Sequence, residues 1–303
     1  MTNPAGNGDP IDERRERVAG WRTRLLQVDG DGPRLILLHG FSDSADTWRP
    51  LLRLLAQRGC AATAVDLPSH GLADSLDGSR PVLPQFNRFV THVVRHCAPD
   101  GAIVVGNSLG GLVALQLAET LTASSGLSPI GVVGVCPAGF SYAPWMTTGA
   151  GWLRRSGLRR AITATVAAPP VWMVNRAART GIRRTLADRH GVEPGFGPSY
   201  AGHLSSRAAR SRLATLVYRL IDESVTPPLR PERIDCPVMV VWGEHDPLVP
   251  AASQRMLLDA APGIHSEVLP GIGHMPQLEA PDHLVDILSR FRDRATHDAP
   301  STP

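Results

Sequence analysis

The chain has 303 residues, 43% hydrophobic and 19% charged, which allows one large core, or one core with a modest insertion. No internal repeat points to a solenoid or propeller, and no apolar run reaches the roughly 18–20 residues that would span a bilayer. The net charge is only +3, and no recognisable nucleic-acid-binding module surrounds the basic residues, so nucleic acid is not an expected partner. The start of the chain is polar and lacks the basic and apolar segments of an export signal, giving a cytoplasmic expectation. The four cysteines, Cys60, Cys97, Cys136 and Cys236, are scattered without a C-x-x-C pair and read as buried free thiols. All 31 basic residues are arginine, which fits a GC-rich coding bias rather than a function.

In chain order, residues 1–17 are rich in charge, Gly and Pro and predict a disordered tail. Short β-branched or Leu-rich runs follow at 22–28, 34–39, 62–66, 102–106, 130–136, 238–242 and 266–269. Several are almost wholly apolar (LILLH, AIVVG, VMVVW), as strands covered by helices on both faces must be. Helical spacing occupies 48–58, 83–97, 109–122, 251–261 and 280–294, with Pro250 and Pro281 near two helix starts. This alternation predicts an α/β fold with a mostly parallel sheet. It stops over 138–226, where strand-like runs give way to helical segments, the Pro169-Pro170 break and a Gly/Pro-rich loop. The expected organisation is a core of 18–137 and 227–295, a helical cap over 138–226, and a second disordered tail over 296–303.

The strongest local signal is Gly106-Asn107-Ser108-Leu109-Gly110-Gly111, directly after the strand AIVVG and directly before a helix. A serine on so sharp a strand-to-helix turn needs small residues two positions away on each side, here Gly106 and Gly110, and the turn presents its hydroxyl to a cleft. A neutral serine is a poor nucleophile and needs a base, itself oriented by an acid. WGEHDPLVP places Asp246 on the loop after VMVVW, and GIGHMP places His274 on the loop after the next strand. The order Ser, Asp, His suits a parallel-sheet hydrolase, and all three fall at carboxyl ends of strands. Alternatives stand beside this reading: Asp246 as a cap for the helix after Pro250, Glu244 as a rival acid, and His274 as a structural histidine. His245 reads as a surface residue. His39-Gly40-Phe41 closes LILLH in a tight turn, and the backbone N–H groups of Phe41 and Leu109 are the candidate oxyanion donors. His39 is expected to brace this loop rather than transfer protons.

Four stretches, HGFSDSADTW, DLPSHGLADS, GNSLGG and the GEHDPLVP with GIGHMPQLEAP pair, together resemble the α/β-hydrolase superfamily. The resemblance implies an eight-stranded, mostly parallel sheet, a helical cap after the sixth strand, and no cofactor or metal. A serine at the elbow, where epoxide hydrolases and haloalkane dehalogenases of this fold carry aspartate, points to acyl chemistry. The GNS elbow also resembles carbon–carbon bond hydrolases of ring-cleavage products, although HGFSDS lacks the HG-x-G-P-G pattern of that branch. Three functions result: an esterase or lipase-like enzyme with an acyl-enzyme intermediate, a carbon–carbon hydrolase with the same triad, and a non-catalytic ligand cup.

The cap segment holds thirteen arginines against Asp188, Glu193, Asp222 and Glu223. With Trp145, Met146 and Trp172 there, and Met275 beside the base, as candidate pocket residues, it suits an amphiphilic or anionic acyl substrate. An anionic membrane surface is a second reading of the same charge, without integral membrane association. The plainer alternative is a solvated helical surface whose aromatics pack on the sheet. A homodimer is compatible with the sequence.

Overall fold

The computed structural model describes residues 8–120, 129–155, 169–187, 204, 206–223, 233, 234 and 236–297. It carries an eight-stranded sheet in the order β1-β2-β4-β3-β5-β6-β7-β8. The strands are β1 (Asp12–Val18), β2 (Trp21–Val28), β3 (Asp31–Leu38), β4 (Cys60–Val65), β5 (Ala102–Asn107), β6 (Gly131–Val135), β7 (Val238–Gly243) and β8 (His265–Leu269). β1 with β2 and β2 with β4 pair antiparallel, and every other pairing is parallel.

The expected disorder of residues 1–17 is corrected by β1, which pairs with β2 from Asp12↔Gln27 to Val18↔Trp21. Its sequence, DERRERV, is exposed except near its end, and that charge mimics a disordered tail. On an edge strand the same charges discourage pairing with another chain. Residues 1–7 and 298–303 lie outside the described residues, and the last helix continues to His297, two residues past the predicted core boundary.

The core helices are α1 (Arg49–Gln57), α2 (Val82–Cys97) and α3 (Leu109–Thr120). Strand alternation sorts the core into two layers. Ile36, Leu38, Val104 and Val132 face α2 and α3, whereas Leu35, Leu37, Ile103, Val105, Val133 and Val241 face α1 and the C-terminal helix. Leu35–Leu38 are at most 1% exposed. Such burial is worth about 2 kcal/mol per side chain, and it holds β3 and its terminal loop at the sheet's centre.

Between β6 and β7 the described residues contain helices α4 (Pro144–Arg155), α5 (Val171–Thr185) and α6 (Arg207–Glu223) and no strand. Leu213 and Leu216 of α6 join the α2/α3 core layer. The α6 carboxylate Glu223 accepts N–H bonds from Val82 (2.7 Å) and Leu83 (3.0 Å). Pro81 stands at the N-cap of α2 without a side-chain acceptor, so Glu223 of α6 supplies the missing acceptor. After β7 come a 3₁₀ turn, Ala251–Ser253, then α7 (Gln254–Ala260), α8 (Pro276–Glu279) and α9 (Pro281–His297). Among the described residues no helix is long and apolar enough to cross a membrane.

Candidate active site

Ser108 joins β5 to α3 with φ of 53°, a left-handed conformation that a side chain adopts only under constraint. Its N–H donates to Val135 O (2.9 Å), and its carbonyl accepts from Leu112 (3.0 Å) and Ala138 (3.0 Å), which fixes the turn. A Cβ at Gly106 would lie 2.1 Å from Gly110 O, and one at Gly110 would lie 2.4 Å from Leu38 O. Only glycine permits this crossing. Leu109 begins α3, and N–H groups of a first helical turn have no acceptor within the helix.

His274 and Asp246 are brought into contact. His274 Nδ1 lies 2.6 Å from Asp246 Oδ2, and the side chains are 6% and 0% exposed. Asp246 Oδ1 accepts the N–H groups of Leu248 (2.8 Å) and Val249 (2.9 Å), so the carboxylate is held on both oxygens. Glu244, the rival acid, instead accepts from Gly271 N–H (2.9 Å) at the surface, with a side chain 52% exposed. His245 is likewise a surface side chain, 62% exposed.

Among the described hydrogen bonds none joins the Ser108 hydroxyl to the imidazole. The two loops are tied one residue away, where Asn107 Nδ2 donates to His274 O (3.0 Å) and to Val135 O (3.2 Å). Hydrogen bonds of a catalytic set are often loose before substrate binds. The HGF loop closes from the other side: a Cβ at Gly40 would lie 3.3 Å from the Ser108 Cβ. His39 Nε2 accepts the Leu67 N–H (3.0 Å), so Nδ1 carries the proton and donates to Gly40 O (2.7 Å). His39 thus braces the loop. Phe41 meets the His70 ring edge-on at 5.7 Å.

Met275 is buried at 6% exposure beside His274, and Met146 is half-buried in the first turn of α4. Trp172 is 68% exposed, and the Trp145 side chain lies outside the described residues.

Three features escaped the sequence reading. Cys136 is fully buried, with φ of 44°, and accepts the Gly243 N–H at Sγ (3.4 Å). Its sulfur, a carboxylate oxygen of Asp246 and a ring nitrogen of His274 lie within 4.8 Å of one another, a spacing that could hold a metal ion. Burial, and then the Asp246 charge, push the thiol well up, keeping it neutral, and the other two groups already share a short hydrogen bond. This chemistry suits an acid–base pair better than a thiolate metal site. Cys97 and Cys236 are only half-buried, which corrects the expectation of four buried thiols.

The second is Arg24, which bridges Asp66 (3.0 Å) and Asp46 (2.8 Å) beneath the HGF loop. The third is Asp43, whose carboxyl burial pushes up to about 8, aided by the charges of Asp46 and Asp66. Its Oδ1 accepts the Ser44 N–H (2.8 Å), while Oδ2 has no hydrogen-bond partner among the described residues.

The ordinary value for this carboxyl is 3.8, so between about pH 4 and 8 the folded protein holds a proton that the unfolded chain has lost. Stability must therefore fall as pH rises through that window, by up to about 1.4 kcal/mol per pH unit from this group. Asp43→Asn, which mimics the protonated form, is expected to flatten the slope in urea unfolding at several pH values. Parallel slopes for the two proteins would contradict a neutral Asp43.

Comparison with known proteins agrees with this architecture. The model of the "Alpha/beta hydrolase family" matches residues 35–287. A pimeloyl-[acyl-carrier protein] methyl ester esterase of Aeromonas salmonicida is 30% identical over 86% of this chain and 96% of its own length. Among solved structures, a putative lipase from Acinetobacter baumannii superposes with a TM-score of 0.76 at 18% identity, covering 96% of this chain and 93% of its own. The 2-hydroxy-6-oxo-6-phenylhexa-2,4-dienoate hydrolase of a Rhodococcus strain gives 0.73 at 22% identity, covering 93% and 98%. The chain belongs to the alpha/beta hydrolase family and is an enzyme of the hydrolase type.

Proposed function

We propose that this enzyme hydrolyses a carboxylic ester through an acyl-enzyme on Ser108, with His274 as general base and Asp246 as its orienting acid. The reading rests chiefly on the buried 2.6 Å contact between His274 and Asp246, on a loop tied by Asn107 to the residue before Ser108. Donation from Nδ1–H to Asp246 leaves Nε2 free to take a proton. Ser108 Oγ attacks the carbonyl carbon as its proton passes to His274, and the oxygen that becomes negative is received by the N–H groups of Phe41 and Leu109. Collapse of the adduct breaks the ester C–O bond, and the leaving alkoxide takes the proton from His274. Water then repeats the sequence on the acyl-enzyme, releasing the acid and restoring Ser108. Met275 and Met146 supply apolar walls for the acyl group. No cofactor enters these steps.

The methyl ester esterase at 30% identity favours an ester of a small alcohol. The carbon–carbon hydrolase likeness, at 22% identity, supports the shared fold and not that substrate. A fluorophosphonate probe, followed by peptide mapping, tests the assignment: the label is expected on the peptide containing Ser108. An active preparation that takes no label, or takes it elsewhere, would refute the nucleophile.

A further inference from the structure

Helix α5 carries Arg176, Arg179, Arg183 and Arg184 and no carboxylate. At 3.6 residues per turn, the exposed side chains of Trp172, Arg183, Arg176, Met173 and Arg184 fall, in that order, within an arc of about 120° among the α5 residues whose exposure is described. Trp172 is 68% exposed and Met173 45%, unusual values for large apolar side chains, and both lie on the arc that presents three guanidinium groups. On α4, in the same insertion, Trp152 is 56% exposed. The C-terminal end of α5 is fixed beside the catalytic loop: Thr185 O accepts the His274 N–H (2.8 Å), and Ala187 N–H donates to Glu279 (2.7 Å).

We infer that this face of α5 seats the enzyme on an anionic lipid surface. The charge of the arc is wholly positive, and its apolar groups are an indole and a thioether interleaved with arginines. An indole settles at the boundary between headgroups and acyl chains, while guanidinium groups stay with the phosphates on apolar stems that reach past it. An acidic protein could also cover the indole and thioether, but it would need a carboxylate opposite each guanidinium group, whereas a headgroup surface supplies negative charge all along the arc. Docking through α5 would bring the His274 side of the site close to the membrane. The inference holds whichever residue is the nucleophile, because it uses none of the reacting groups.

Co-sedimentation of the full chain with vesicles at low salt tests it, comparing phosphatidylcholine alone with phosphatidylcholine containing phosphatidylglycerol. Wild type is expected to bind the anionic vesicles, with a blue shift of tryptophan emission, and to leave the neutral ones unbound. Each arginine near such a surface contributes about fivefold in affinity, so Arg176→Gln/Arg183→Gln/Arg184→Gln should weaken binding on the order of a hundredfold. Turnover of a soluble neutral ester by that variant should match wild type, showing that the fold is intact. Trp172→Ala should reduce the emission shift and weaken binding further. The inference is overturned if wild type ignores anionic vesicles, if it binds neutral ones equally, or if the triple variant binds as well as wild type. It is also overturned if gel filtration shows α5 burying itself against a second copy, with the triple variant monomeric.

Discussion

Ser108→Ala is expected to lower kcat on a p-nitrophenyl ester by about a million-fold and to abolish fluorophosphonate labelling, while thermal unfolding changes little. The side chain is partly exposed at the turn and carries little of the core, so the loss should lie in chemistry rather than folding. Asp246→Asn should cost less, about ten thousand-fold in kcat, for a reason visible in its surroundings. Oδ1 of Asp246 accepts two backbone N–H groups, from Leu248 and Val249. The carbonyl of an asparagine would keep that side and turn its NH₂ toward His274 Nδ1. The imidazole would then accept at Nδ1 and carry its proton on Nε2, the wrong form to receive a proton from Ser108. Both variants call for steady-state kinetics alongside an unfolding curve. Retained labelling of Ser108→Ala, or an Asp246→Asn enzyme within about tenfold of wild type, would contradict the assigned roles.

What the sequence made legible, and what it hid, follows from how far apart the interacting residues lie. Strands β5 and β7 and the second half of β3 are buried on both faces, so each appears as an apolar run, and the loops at their ends carry motifs set by local turn chemistry. Ser108, Asp246 and His274 stand out in this way as candidates. β1 is hidden because an exposed edge strand resembles a charged tail. The Asn107–His274 and Arg24–Asp66 contacts join residues 167 and 42 positions apart, across a sheet whose order runs β4-β3-β5, and no local pattern encodes such pairings. Trp172 is less legible: its apolarity is compatible with a pocket wall, and its 68% exposure is set by how α5 is seated, which no local pattern encodes.

The DLPSHG stretch stands out in the sequence only by its family resemblance, and its structural role leads to the largest stability effect expected. Asp66 has a side chain with no exposure, and its two oxygens accept the N–H groups of Ala45 (2.8 Å) and Leu72 (2.8 Å) as well as Arg24 Nε (3.0 Å). A Cβ at Gly71 would lie 2.2 Å from the Asp66 carboxyl carbon, so the backbone wraps the group too closely for any side chain. Each of these hydrogen-bonding partners is a donor, and Asp66→Asn would set an NH₂ among them. Breaking a buried charged network from one side costs about 3–5 kcal/mol, because Arg24 and two backbone N–H groups lose an ionised acceptor. Urea unfolding should show a lowered midpoint with an unchanged slope. Arg24→Met, which leaves Asp66 and Asp46 buried without their shared cation, should destabilise by a similar amount. The double variant should lose clearly less than the sum, since each change removes the partner whose isolation made the other costly. Additive losses, or a cost below about 1 kcal/mol for Asp66→Asn, would show that the network is not what ties the HGF loop to the sheet.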